Sequence, residues 1–184
     1  MKSLRALALL PLAAAAAQAY TIELQLGENR PTGFAKGTVV GLNIAGQVGR
    51  NVSLGLNLSD KDINDTENVT PVLSNPSNLV TPGKVKVRNA SADLAYELNP
   101  RGAIHPFIGA GLGYAWLSNT ENVTTSKSVM TASVFAGIRF ELSRDVDIAF
   151  NLRNTELLGV KNFDGTKKQT VKNWESTVGL RLKF

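Results

Sequence analysis

The chain has 184 residues, with 20 basic against 15 acidic side chains, a formal charge of +5, 43% apolar residues and no cysteine. That length suits a single domain, and the lack of cysteine excludes a disulfide framework or a thiolate metal site, leaving a core, another kind of metal site or lipid to stabilise the fold. The positive excess is too small to argue for nucleic acid, and no segment reaches the run of about 20 apolar residues that a spanning helix needs.

Residues 1–19 carry Lys2 and Arg5, an apolar run from Ala6 to Ala17, and the small-residue pattern Ala17, Gln18, Ala19. This is the layout of a signal peptide, expected to be cleaved before Tyr20. Its removal takes away Lys2 and Arg5, so 18 bases face 15 acids and the mature charge is +3. Residues 20–184 then form one exported domain.

From there apolar residues recur at every second position, the period of a strand whose side chains alternate between two faces. Ile22, Leu24 and Leu26 mark the first strand, Val40, Leu42, Ile44 and Val48 the second, and, after a short turn at Gly49, Arg50 and Asn51, Val52, Leu54, Leu56 and Leu58 the third. The fourth, over 89–98, sets Ala90, Ala92, Leu94, Tyr96 and Leu98 against Asn89, Ser91, Asp93 and Glu97, and ends in the turn residues Asn99, Pro100, Arg101 and Gly102. The fifth, over 104–117, points Ile104, Pro106, Ile108, Ala110, Leu112, Tyr114 and Trp116 outward, with Gly109, Gly111 and Gly113 behind them. Inward glycines there leave room for long side chains arriving from across a narrow barrel.

The sixth strand, over 130–142, opposes Met130, Val134, Ile138, Phe140 and Leu142 to Thr131, Ser133, Arg139 and Glu141, and a tight turn at 143–145 leads to the seventh, over 146–154. There Val146, Ile148, Phe150 and Leu152 oppose Asp147, Asn151 and Arg153. The eighth, over 173–184, places Trp174, Val178, Leu180, Leu182 and Phe184 on one face, broken by Ser176, and Asn173, Glu175, Thr177, Arg181 and Lys183 on the other. It is long for a soluble sheet, whose strands run about 5 to 6 residues, and suits a tilted membrane strand of about 9 to 11.

Links after the second, fourth and sixth strands are short, whereas the others run over 28–36, 60–83, 118–128 and 158–168. Short turns alternating with long loops suit an outer-membrane barrel, and a loop as long as 60–83 is unusual in a compact soluble domain. Mean hydropathy near zero decides nothing, since only alternate residues of such a barrel face lipid. An apolar sheet face needs a covering layer, and the sequence has no amphipathic helix to supply one; lipid is the remaining apolar partner, and backbone groups in lipid must all be paired. The pattern therefore predicts an all-β fold, a closed eight-stranded antiparallel up-and-down transmembrane β-barrel. The interface aromatics expected are Tyr114, Trp116 and Trp174 at the long-loop edge and Tyr20, Tyr96, Phe140 and Phe184 at the short-turn edge.

Two motifs carry a resemblance: the glycine-alternating Pro106-Phe-Ile-Gly-Ala-Gly-Leu-Gly-Tyr114 and the terminal Val178-Gly-Leu-Arg-Leu-Lys-Phe184. With them the mature chain resembles the small eight-stranded outer-membrane barrels of Gram-negative-type bacteria, the OmpA transmembrane domain and its OmpX-like and OmpW-like relatives. The resemblance implies the cell outer membrane as location and recognition of the strand ending in Phe184 by the barrel-assembly machinery. It does not bring attachment to the cell wall, because the peptidoglycan-binding domain of OmpA has no counterpart in this sequence.

By parity the lumen receives Glu23, Asp93, Glu97, Arg139, Glu141, Asp147, Arg153, Glu175, Arg181 and Lys183. Charges in a bore only wide enough for side chains are expected to pair across it, making a plug, with a narrow water channel as the alternative. The inward set reads as mostly polar, which places an OmpW-like transporter of small apolar molecules second to a structural barrel whose loops meet surface partners. A lipid-modifying enzyme is a remote third, since the single histidine, His105, lies at the short-turn edge, away from the outer leaflet.

Asp60, Asp62, Asp65 and Glu67 could hold calcium but lack the glycine and glutamate of an EF-hand loop. Lys161, Lys167, Lys168 and Lys172 gather near the fourth long loop, where acidic glycolipid headgroups would sit, though a charge run is more often a solvated face. The triplets beginning at Asn68 and Asn122 are glycan acceptors only in a eukaryotic secretory route. No cofactor, resident metal or nucleic acid is expected, and the chain is expected to be a monomer among outer-membrane lipid and surface glycolipid.

Overall fold

A computed structural model of the chain describes residues 20–32, 36–64, 84–100, 102–118, 126–161 and 168–184. The expected leader at 1–19 lies outside them, as do Asp65, Glu67, Asn68, Asn122 and Lys167. The strands are β1 (Tyr20–Pro31), β2 (Gly37–Gln47), β3 (Val52–Asn64), β4 (Lys84–Glu97), β5 (Ile104–Ser118), β6 (Ser128–Ser143), β7 (Val146–Lys161) and β8 (Lys168–Lys183). Each pairs antiparallel with its chain neighbours and β1 pairs with β8, so the sheet closes and keeps no edge. At the seam the Tyr20 and Phe184 rings stack 5.2 Å apart, and the Phe184 N–H donates to the Tyr20 carbonyl.

The register fixes the barrel's shape. A transverse row of partners begun at Val87 runs through Lys61, Val39, Gly27, Thr177, Asn151, Gly137 and Phe107, and returns to β4 at Glu97, ten residues further along (97 − 87 = 10). Eight strands with a shear of ten tilt by about 40°, so each residue climbs about 2.5 Å along the barrel axis. Ten residue steps along β5, from Ile104 to Tyr114, therefore span about 25 Å of height, the thickness of an outer-membrane apolar band.

Outward side chains form that band. Leu24, Leu112 and Val134 are 61, 68 and 63% exposed, with many other large apolar groups around the circumference, far more than a water-soluble surface leaves bare. Tyr20, Tyr96, Phe140 and Phe184 point outward at the short-turn end, and Tyr114, Trp116 and Trp174 do so at the other. Just above the band the outward positions turn charged: Glu28 and Arg30 on β1, Asp60 on β3, Arg88 on β4, Glu156 on β7 and Lys172 on β8.

Several strands run beyond their expected ends. β4 begins at Lys84 rather than 89, β7 continues to Lys161 rather than 154, β8 begins at Lys168 rather than 173, and β3 reaches Asn64. Asp60 and Asp62 accordingly sit on β3 rather than in a loop, and Asp60 faces outward beside Arg88, 3.4 Å away. Near its top β7 carries a bulge at which Gly159 takes φ 72°. This returns Val160 to the inner face after two successive outward residues, a conformation glycine adopts without steric cost.

The barrel geometry makes the cost of an outward charge depend on depth. Ile108→Arg, near mid-band, is expected to lower stability by about 2–4 kcal/mol, and Leu142→Arg, at the short-turn rim, by about 0–1 kcal/mol. The comparison is read from urea midpoints in lipid vesicles, with the faster migration of unboiled protein in detergent gels reporting the closed barrel.

Candidate functional site: the lumen

Inward residues form three layers. At the short-turn end a vestibule of about 410 Å³ is lined by Glu97, His105, Arg139, Glu141, Asp147 and Lys183 among others. Lys183 Nζ bridges Asp147 at 2.8 Å and Glu141 at 3.2 Å; His105 Nδ1 lies 3.1 Å from Glu97 and its Nε2 3.8 Å from Glu141. Arg139 reaches Glu97 at 3.7 Å and Arg181 reaches Asp147 at 4.0 Å. These pairs join adjacent and next-adjacent strands from β4 to β8 along one side of the wall, rather than crossing the bore as expected.

The middle layer is tighter, with about 40 Å³ of free space. Arg153 of β7 crosses to Asp93 of β4 with both terminal nitrogens and also donates to Ser133 Oγ at 3.0 Å, while Ser91 Oγ donates to Asp93 at 2.9 Å. Glu23 accepts from Gln25 at 2.8 Å and Asn151 at 2.9 Å, and Asn57 donates to Gln25 at 3.3 Å. Two aromatic rings complete the layer: the Arg139 guanidinium lies 4.0 Å from the Phe107 centroid and that of Arg153 4.4 Å from Phe135.

Glycines make room for these groups. A Cβ on Gly109 would meet the Phe135 ring at 2.3 Å, one on Gly137 the Phe107 ring at 2.5 Å, and one on Gly111 the Asp93 carboxylate at 2.2 Å. In each case the long side chain comes from the adjacent strand and lies over the glycine, not from across the barrel as expected. Ring-over-glycine packing lets two phenylalanines lie flat against the wall of a bore too narrow for them to stand upright.

Toward the long loops lies a layer whose only expected lumen charge is Glu175. Lys61 and Glu175 are 3 and 5% exposed and paired from β3 to β8, and Glu175 also accepts from Thr155 at 2.8 Å and Asn173 at 3.2 Å. Above them Val85, Val87, Ala115, Leu117, Val129, Leu157 and Val160 form a buried apolar cluster against Val171. No water-sized space remains among Lys61, Val87, Ala115 and Leu157. The mostly polar interior read from the sequence is thus corrected to polar below and apolar above.

The ten expected lumen charges all line this interior, separated into the Glu23 site, the Asp93–Arg153 pair, the vestibule cluster of Glu97, Arg139, Glu141, Asp147, Arg181 and Lys183, and Glu175 with its partner Lys61. Lys61 lies beyond Leu58, the last apolar residue of the third strand's alternation, and so reads as a loop residue although β3 runs on to Asn64. The signal was an inversion: in Lys84-Val-Lys-Val-Arg88 the odd positions still face inward, but there they are valines, because above the apolar band water lies outside and the core inside. Asp60 and Lys172 lie on the outer wall, paired with Arg88 and Glu156, and no metal-ligating cluster occurs among the described residues.

The outer membrane protein beta-barrel domain family matches residues 3–184. Among solved structures, neisserial surface protein A (NspA) superposes with a TM-score of 0.61 at 15% identity, covering 90% of this chain and 96% of that one. The outer membrane protein OprG of Pseudomonas aeruginosa gives 0.56 at 12% identity (91 and 96% covered), and the outer membrane enzyme PagL gives 0.58 at 13% (85 and 97%). Curated proteins offer no match in sequence. A closed cylinder with an apolar belt, matched over nearly its whole length, places the chain in the outer membrane protein beta-barrel domain family and in the cell outer membrane.

Proposed function

We propose that the protein is a non-conducting structural barrel, filled by its own side chains, that holds its long connections at the cell surface. The observation that carries this reading is the apolar layer of Val85, Val87, Ala115, Leu117, Val129 and Leu157 above the buried Lys61–Glu175 pair. A hydrated ion entering from outside meets a dry constriction first, and such constrictions stop conduction by excluding water. Free space falls from about 410 Å³ in the vestibule to about 40 Å³ in the middle, with no water-sized space above.

A passage for small apolar molecules stands second. The apolar inner layer speaks for it, but no water-sized space remains where Val87, Ala115 and Leu157 of that layer meet Lys61. Catalysis is not part of the proposed role: His105 is held between Glu97 and Glu141 at the short-turn end, which in this family faces the periplasm, and likeness to PagL extends to the fold.

Planar-bilayer recordings of the full chain are expected to give no stable conductance steps; reproducible steps of porin size would overturn the reading. The seal also has an energetic signature. Glu175→Gln strands the Lys61 ammonium in a buried site and is expected to lower stability by about 3–5 kcal/mol, whereas Lys61→Met with Glu175→Leu removes both charges and recovers most of the loss. Urea midpoints in lipid vesicles measure both.

A further inference from the structure

The vestibule at the short-turn end is built unevenly. Its ion pairs all lie on the β4 to β8 side, whereas β1, β2 and β3 close the other side with Thr21, Ala45 and Ser53, so the free space of about 410 Å³ stands in front of the charges. A cavity of that size suits a small molecule. Its mouth lies among the short turns, at Arg50, Asn51 and Pro100, and it ends inward at the middle layer, where about 40 Å³ remains.

The lumen cations fall into two groups. Lys61, Arg153 and Lys183 each donate directly to a carboxylate, that of Glu175, Asp93 and Glu141 respectively. Arg139 and Arg181 do not: their carboxylate partners, Glu97 at 3.7 Å and Asp147 at 4.0 Å, lie beyond hydrogen-bond distance, and neither guanidinium bonds an acceptor among the described residues. Arg139 is only 9% exposed, its Nε has no partner, and its guanidinium is held 4.0 Å from the Phe107 centroid. The surrounding carboxylates are already engaged. Lys183 bridges Glu141 and Asp147, His105 lies beside Glu97, and deeper in the bore Glu23 accepts from Gln25 and Asn151. Exposed Arg50, in the turn after β2, forms no ion pair with a described residue. Leaving aside His105 and the chain terminus at the seam, Arg50, Arg139, Arg181 and Lys183 line the vestibule against Glu97, Glu141 and Asp147, an excess of one positive charge.

We propose that the vestibule binds a small solute carrying one carboxylate, taken from the periplasm, with Arg139 and Arg181 donating to its oxygens and Arg50 drawing it to the mouth. Guanidinium groups match a carboxylate in geometry as well as in charge. One negative charge neutralises the lining, whereas a dianion overshoots it. The inference rests on the vestibule and its orientation, and it stands whether or not the lumen conducts.

The test uses the full chain refolded in phospholipid nanodiscs, with isotope-labelled arginine side chains read by NMR. It is titrated at neutral pH and fixed ionic strength with N-acetylglycine, with its uncharged amide and with inorganic phosphate. The expected result is a saturable change in the Arg139 and Arg181 signals with N-acetylglycine, a weaker one with phosphate, none with the amide, and no change at Arg153 or at Arg88 on the outer wall. Arg181→Gln leaves Asp147 its Lys183 partner and so should keep heat-modifiable mobility; it and Arg139→Lys should each weaken binding about tenfold, as the loss of a hydrogen bond between charged groups does. An equal response to the amide, changes shared by Arg30 and Arg88, tighter binding of phosphate, undiminished binding by Arg181→Gln, or no saturable change at all would each overturn the proposal. The titration of the unmodified chain stands without any variant, so a folding failure leaves it decisive.

Discussion

Backbone amides and carbonyls cannot stay unpaired in hydrocarbon, where each costs several kcal/mol. A sheet with an apolar outer face must therefore close, and the β1–β8 pairing supplies the closure. Everything else is a consequence of closing with only eight strands. The bore is too narrow to be left open and too wide to be filled by small side chains alone, so the interior becomes a packing problem with a mixed vocabulary of charges, amides, rings and glycines.

The solution changes with height because the surroundings change. At the short-turn end a loose cluster of charges bounds a vestibule; at mid-height Arg153 and Asp93 cross the bore while two phenylalanine rings lie over glycines; near the long loops an apolar core seals the buried Lys61–Glu175 pair. This last layer stands level with or above the charged outer ring of Glu28, Asp60, Arg88 and Lys172, where the outside is wet. In that zone the cylinder resembles a small soluble barrel, polar outside and apolar within, stacked on a membrane barrel of the reverse polarity.

That reversal explains what the sequence disclosed and what it concealed. Across the lipid band, outward residues such as Ile104 to Trp116 on even positions are apolar, and the period of two locates strands, turns and topology. Above the band the period persists but its meaning flips, so Lys86 and Arg88 look like loop residues and Val85 and Val87 like a weak strand facing the wrong way. Strand ends, Lys61 and the apolar seal were hidden by this change of solvent, not by loss of pattern. The Gly159 bulge was hidden for a different reason, because one inserted residue near a strand end leaves too few positions after it to reveal the shift. Glycine placement was legible, but whether a covering side chain arrives from the next strand or from across the bore depends on register, which hydropathy does not encode.

The chain has no cysteine, so a spin label can be introduced at one site at a time along β8 in lipid bilayers. Collision rates with lipid-dissolved oxygen and with a water-soluble reagent test belt and seal together. Labels at 174, 178, 180, 182 and 184 should meet oxygen, those at 173, 175, 177 and 179 neither reagent, and those at 181 and 183 the water-soluble reagent from the vestibule. Free access of the water-soluble reagent to 173 and 175, or the absence of any two-residue period, would contradict the account.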